Sequence, residues 1–307
     1  MVKRAARVRP RRAKPRYPRG VVMSVVAAVV VVLVALGVFL ASRMLGGQAA
    51  APETEPAHDV AVSGAGPGAQ WQLPERRWEP MPPPDPASPL HGMQANDLNA
   101  QPPAALTGCA APATVETIEG WEAAVRAQWE CVHRSWVPTL ERLGWSATAP
   151  TVQFFRGEGD DSECGYLEAP AFYCSAGDGS VHFGARHFDM ARIWKLSVNE
   201  MVNHEYGHHL QNLAGVTAAK VALPWTIELE RRAELQATCW SAAMTAHNAS
   251  FTFGQAEYGA WLERLDSMRA GGVHGSRESM LHWGTRGLYA KTMNDCNTWV
   301  VPETHVT

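Results

Sequence analysis

Apolar and polar positions follow three regimes along this chain. Between Gly20 and Ser42 the sequence VVMSVVAAVVVVLVALGVFLA carries no charge. At about 1.5 Å per residue it is long enough to cross a hydrocarbon layer of about 30 Å. From Arg43 to about Leu106, apolar side chains are scattered among Pro, Ala, Gly and Gln, with runs such as Glu79-Pro80-Met81-Pro82-Pro83-Pro84-Asp85-Pro86. Such composition predicts an extended linker without a core, in which Trp71 and Trp78 are the residues able to dock on a neighbouring domain. From Thr107 onward the spacing becomes periodic. Ile118, Trp121, Val125, Trp129, Val132 and Trp136 recur three or four apart, which predicts a helix within Val115–Leu143. Thr151–Phe155 and Ser180–Phe183 are short and β-branched, the second following the turn Ala176-Gly177-Asp178-Gly179, and both read as strands. Further helices are predicted at about Ser197–Ala214, Trp225–His247, Gln255–Arg269 and Ser276–Met293, separated by Gly, Pro and Asn. The expected organisation is a tail over 1–20, a transmembrane helix over 21–42, a linker over 43–106 and a domain over 107–307.

Charge adds an orientation. Of the 27 Lys and Arg, nine lie in the first 19 residues, where no acidic residue occurs, so the remaining 18 face all 30 Asp and Glu. A basic block directly before an apolar run is a topology signal that places the tail in the cytoplasm and the acidic bulk of the chain outside it, at the membrane. Nucleic acid is discounted as a partner on the same ground. A cleaved signal peptide, with Gln48-Ala49-Ala50-Ala51 as cleavage site, is the competing reading, and the length of the apolar run favours an anchor. Cys109, Cys131, Cys164, Cys174, Cys239 and Cys296 all follow the run, where oxidation is permitted. Six cysteines allow 15 pairings. Order and spacing suggest Cys109–Cys131, Cys164–Cys174 and Cys239–Cys296, and the absence of any C-x-x-C argues against a cysteine-built zinc site.

The strongest chemical signal is His204-Glu205-Tyr206-Gly207-His208, an H-E-x-x-H pattern within a predicted helix. Residues four apart stand one turn above each other, so both imidazoles can reach one metal ion, and Glu205 can take a proton from water beside it. Ser197 and Glu200 have the spacing of a capping box. Gly207 costs the helix about 1 kcal/mol relative to Ala, which implies close approach of a strand or substrate. A third ligand is needed. The next predicted helix offers Glu234, whose neighbours Leu235 and Ala237 are apolar and which Cys239 follows, with Glu228 and Glu230 as rivals. His209 is turned about 100° from the ligands and reads as a surface residue or one lying behind them. His182, His187 and His282 lack a spacing partner, and Trp121, Trp129 and Trp136 read as core.

Over about Cys164–Thr298 these residues resemble the neutral zinc metallopeptidase family of bacteria, a single-span, gluzincin-like group. The likeness is carried by His204-Glu205-Tyr206-Gly207-His208-His209-Leu210-Gln211, Glu234-Leu235-Gln236-Ala237, His274-Gly275-Ser276 and Cys296-Asn297-Thr298. The resemblance implies an α+β, zincin-like metallopeptidase domain, mostly helical with a small β-sheet and preceded by one transmembrane helix. It also implies zinc held by His204, His208 and Glu234, with Glu205 as general base and His274 stabilising the oxyanion. As a rival reading, His274 is a loop residue before a helix cap. The chain departs from the family pattern where Thr238 replaces an Asp and Met280 an Arg, which removes a carboxylate expected to orient a ligand His.

The functional expectation is therefore a membrane-anchored, zinc-dependent metallopeptidase acting on a peptide or protein substrate outside the cytoplasm. The alternatives are a catalytically weak or inactive envelope module that binds a protein partner, and a purely structural disulfide-bonded domain. Manganese or iron would also suit a His, His, Glu donor set.

Overall fold

The computed structural model describes residues 71–157, 160 and 162–307. The basic tail, the apolar run expected to be a transmembrane helix over 21–42, and the first part of the expected linker lie outside the described residues.

Helix α1 (His91–Gln94) is a single turn, followed by a 3₁₀ turn at Asp97–Ala100. Helix α2 (Ile118–Arg142) buries Trp121, Val125, Trp129, Val132 and Trp136 of the expected stripe, with Ile118 partly buried and Leu140 added to it. Thr117 starts this helix, its Oγ1 accepting from the N–H of Gly120 at 3.1 Å. A three-stranded sheet follows, in the order β1 (Thr151–Phe155), β3 (Ser180–Gly184), β2 (Ala171–Cys174). β1 runs parallel to β3 with Thr151 opposite Ser180, and β2 runs antiparallel to β3 with Ala171 opposite Phe183. Strand β2 lies between the two expected strands in the sequence and was not itself expected.

The remainder is helical: α3 (Ala185–Ala191), α4 (Ser197–Leu213), α5 (Val216–Val221), α6 (Ile227–Ala246), α7 (Gln255–Ser267) and α8 (Arg277–Arg286). Val202, Tyr206 and Leu210 of α4 share one core with Leu235, Cys239, Trp240 and Ala243 of α6 and with the Trp stripe of α2. Thr226 caps α6 through the N–H of Leu229, and Ser276 caps α8 through that of Ser279. The last helix ends at Arg286 rather than near Met293. There Gly287 lies so close to α6 that a Cβ on it would fall 2.0 Å from the carbonyl oxygen of Cys239, and the chain tightens into a 3₁₀ turn.

All six cysteines are paired, as Cys109–Cys131, Cys164–Cys174 and Cys239–Cys296. The last bridge ties the middle of α6 to the C-terminal region across 57 residues of sequence.

Three expectations are corrected. The expected fold class, a zincin-like α+β domain preceded by a transmembrane helix, gives way to a mixed helical domain with a small sheet. No helix among the described residues is long and apolar enough to cross a membrane. The long ones are amphipathic: α2 carries Glu119, Glu122, Arg126, Glu130, Arg134 and Glu141 opposite its Trp stripe. Second, residues 71–106 are part of the domain rather than a free linker. Met93, Leu98 and Leu106 are buried, Leu106 pairs with Asn248 as an isolated bridge, and Gln94 Nε2 donates to the carbonyl of Trp299 at 3.0 Å. Third, Ser197 does not cap α4: the cap position is Leu196, and the Ser197 hydroxyl is buried without a partner.

Candidate metal centre

Helices α4 and α6 run antiparallel, and their contact builds the site. The Ser241 hydroxyl donates to the carbonyl of Glu200 at 2.7 Å at one end, and Gln211 Nε2 donates to the carbonyl of Ala233 at 2.8 Å near the other. Gly207 lies between these bonds. A Cβ on it would sit 3.2 Å from Ala237 Cα and 3.3 Å from Ala237 Cβ, so the close approach that demands glycine comes from a helix, not from a strand or substrate.

That approach brings the expected ligands together. His204, His208 and Glu234 each offer an atom within 4.8 Å of the others, a cluster able to hold a metal ion. His204 Nε2 is 3.2 Å from His208 Nε2 and 3.2 Å from Glu234 Oε2, and His208 Nε2 is 3.5 Å from Glu234 Oε1. The two rings are nearly perpendicular, at 84°, so their Nε2 atoms converge on one point rather than stack. Two donors at about 2.0–2.1 Å from a tetrahedral ion stand about 3.3 Å apart, and these separations fit that spacing. The rival carboxylates are committed elsewhere: Glu228 pairs with Arg232 at 2.7 Å, and Glu230 pairs with Lys220.

The ligands are oriented from behind. His208 Nδ1 hydrogen-bonds Gln211 Oε1 at 2.9 Å, which makes Nδ1 the donor and leaves Nε2 facing the cluster. Gln211 is fixed in turn by its bonds to Ala233 and to Gln236 Oε1, which also accepts from the indole N–H of Trp299. For His204, Nδ1 is 3.4 Å from Thr238 Oγ1. Thr238 thus occupies the position behind this ligand, with a long and neutral contact. Sequence reading missed Gln211, although its place three residues after His208 is a detectable signal.

Glu205 is 3% exposed, and its Oε2 has no hydrogen-bond partner among the described residues. Burial raises its pKa, opposed by His208 and His204. Burial also works against charge on His208, but the Glu234 carboxylate outweighs it and lifts the His208 pKa to about 9. Desolvation pushes Glu234 upward, and the two imidazoles overcome it, holding its carboxyl well below the usual range. These opposed shifts describe donors that attract a shared positive charge. His274, in the 3₁₀ turn Gly272–His274, places Nδ1 3.7 Å from Glu234 Oε2 with 45% of its side chain exposed. It stands at the mouth of the cluster, and burial lowers its pKa.

His209 is not on the surface. It is 2% exposed, contacts the Tyr173 hydroxyl at 3.1 Å through Nδ1, packs against Tyr206, and is held to a pKa of about 3 by burial and by His133. His187 is structural: its Nδ1 accepts from the indole of Trp121 at 3.1 Å, and its Nε2 donates to the carbonyl of Ser197 at 3.1 Å. His182 stacks on Phe172 at 4.6 Å, and His282 lies edge-on to Trp78 at 5.3 Å.

No family model and no solved structure matches the chain. The zincin-like description of the fold is therefore withdrawn. The chain is similar to the uncharacterized protein YpfJ of Escherichia coli strain K12, at 25% identity over 195 residues, covering 54% of this chain and 67% of the relative. The protein of the same name from strain O6:H1 gives the same values.

Proposed function

We propose that the protein is a zinc-dependent peptide hydrolase, akin in its motifs to the neutral zinc metallopeptidases, working in an oxidising compartment outside the cytoplasm. The observation that carries this reading is the convergence of His204, His208 and Glu234 at tetrahedral ligand spacing, beside a buried carboxylate with an unpartnered oxygen. The donor set suits zinc. A zinc ion bound there supplies a Lewis acid that polarises a carbonyl and makes water more acidic. Glu205 takes a proton from the attacking water, holds it at its free Oε2, and passes it to the departing amine nitrogen. Burial makes Glu205 a stronger base than an exposed carboxylate, which suits both halves of that transfer. In this reading His274, half-exposed and 3.7 Å from Glu234, would donate a hydrogen bond to the developing oxyanion. Three disulfides support the assignment to an oxidising compartment.

Metal analysis and a cleavage assay on the purified full chain test this together. We expect about one zinc per chain, little in Glu234→Ala, and full zinc but no cleavage of an unfolded labelled protein in Glu205→Gln. Zinc content equal in the wild type and Glu234→Ala would remove the third ligand. The Thr238 contact favours a second reading, a zinc-stabilised module that binds a protein partner with weak or no turnover. Retained zinc with no cleavage by either wild type or Glu205→Gln would decide for it.

A further inference from the structure

A second site lies away from the metal ligands, where the segment before α1 crosses the end of α8. Arg76, Trp78, Glu79, Pro80, Arg286, Tyr289, Lys291 and Asp295 line an open pocket of about 320 Å³. Arg286 is its unusual member. This residue is 5% exposed, yet among the described residues no carboxylate lies within salt-bridge distance of its guanidinium. Its Nε donates to the carbonyl of Asp295 and its Nη2 to the carbonyl of Glu79, which fixes the plane of the group, while Nη1 has no acceptor there. A buried cation held only by neutral carbonyls is costly, and such a charge is ordinarily paired.

The pocket's lining carries three cationic side chains, Arg76, Arg286 and Lys291, against two carboxylates, Glu79 and Asp295. The Arg76 guanidinium lies 4.8 Å from the centre of the Trp78 ring and that of Arg286 lies 5.4 Å from it, so one indole serves two cations. Lys291 lines the same pocket. Of the two carboxylates, Asp295 already accepts through Oδ2 from the N–H groups of Lys291 and Thr292 and from the Thr292 hydroxyl. Glu79 is exposed and meets Arg286 through its backbone carbonyl, not its carboxylate. The indole N–H of Trp78 is a further buried donor without an acceptor. Burial lowers the pKa of Arg286 and Asp295 opposes that shift, in keeping with an incompletely compensated guanidinium.

We propose that this pocket binds an organic oxyanion, whose charged group meets Arg286 Nη1, Arg76 and Lys291 while its flat apolar body lies against Trp78, Pro80 and Tyr289. A carboxylate and a phosphoryl group share that chemistry. The assignment does not depend on the metal centre: His204, His208, Glu234 and His274 are not among the lining residues.

The test uses the full chain with benzoate and phenyl phosphate as probes, at an ionic strength held constant with sodium chloride. Binding is followed by ligand-observed NMR and by thermal denaturation. Saturable binding of either probe, with a matching rise in Tm, is expected, and the tighter probe identifies the group. The double variant Arg76→Gln/Lys291→Gln, altering two exposed side chains, should weaken binding by about tenfold or more, and Arg286→Gln should abolish it. No saturable binding of either probe, or unchanged affinity in the double variant, would overturn the site. The double variant decides the matter even if Arg286→Gln fails to fold.

Discussion

The two nitrogens of His204 face different partners: Nε2 points at Glu234 and His208, and Nδ1 at the hydroxyl of Thr238. At 3.4 Å the Thr238 contact is longer than an ordinary hydrogen bond, so it orients the ring without adding charge behind it. A carboxylate in that place would strengthen the imidazole as a ligand, and such partners are worth about 10–100-fold in metal affinity. Thr238→Asp should therefore bind zinc on the order of tenfold more tightly than the wild type, whereas Thr238→Ala should lose less than about tenfold. Chelator competition gives both numbers, and a Thr238→Asp variant that binds more weakly would contradict this role. At this scale the sequence carried much of the site. The H-E-x-x-H spacing and the apolar neighbours of Glu234 have local signatures, so three of the five expected residues, His204, His208 and Glu234, meet in one cluster, and His274 stands 3.7 Å from Glu234. The contact of Thr238 with His204 was not legible from local spacing, because it is set by the packing of two helices, whereas that of Gln211 with His208 follows from their spacing on one helix.

Between elements, the decisive contact is that of α4 with α6, and Gly207 sets how close they come. Alanine is the better helix former by about 1 kcal/mol. Its Cβ, however, would press on the backbone Cα of Ala237 at 3.2 Å, which cannot swing away as a flexible side chain could, and overpacking costs about 1–3 kcal/mol. Gly207→Ala should therefore lower Tm despite its propensity, and should weaken zinc binding by moving Glu234 away from His204. A variant with higher Tm and unchanged zinc affinity would show that the helices are not held at this distance by Gly207. The same kind of contact explains which elements the sequence did not reveal. The end of α8 is fixed by Gly287 meeting Cys239, 48 positions earlier in the chain. Strand β2 is four residues long, with Ala171, Phe172 and Cys174 buried and no clean alternation to announce it. The Pro-rich stretch before Leu106 owes its place in the core to bonds such as Gln94 to Trp299, for which composition carries no signal. By contrast, α2 was legible because its Trp stripe is periodic over six positions.

For the molecule as a whole, buried neutral histidines make stability depend on acid. His187 on α3 accepts from Trp121 of α2 and donates to the start of α4, so one neutral ring joins three helices. It is fully buried, and burial holds its pKa down to about 4 against an unfolded value of 6.5, with Ser197 and Glu200 opposing the shift and Arg264 adding to it. Above pH 6.5 the ring is neutral in both folded and unfolded chains, and its contribution to stability is complete. As the pH falls from 6.5 towards 4, the unfolded chain takes up the proton and the folded one does not, so stability declines across that window. A depression of this size corresponds to a loss of about 3 kcal/mol once both states are protonated. Urea unfolding of the full chain at a series of pH values should show this decline, with a shallower slope between 6.5 and 4 in His187→Gln, which retains polar atoms but no titrating ring. Equal slopes in the two proteins would mean that acid sensitivity arises elsewhere, for example at His209, whose buried ring lies on α4 and is held lower still.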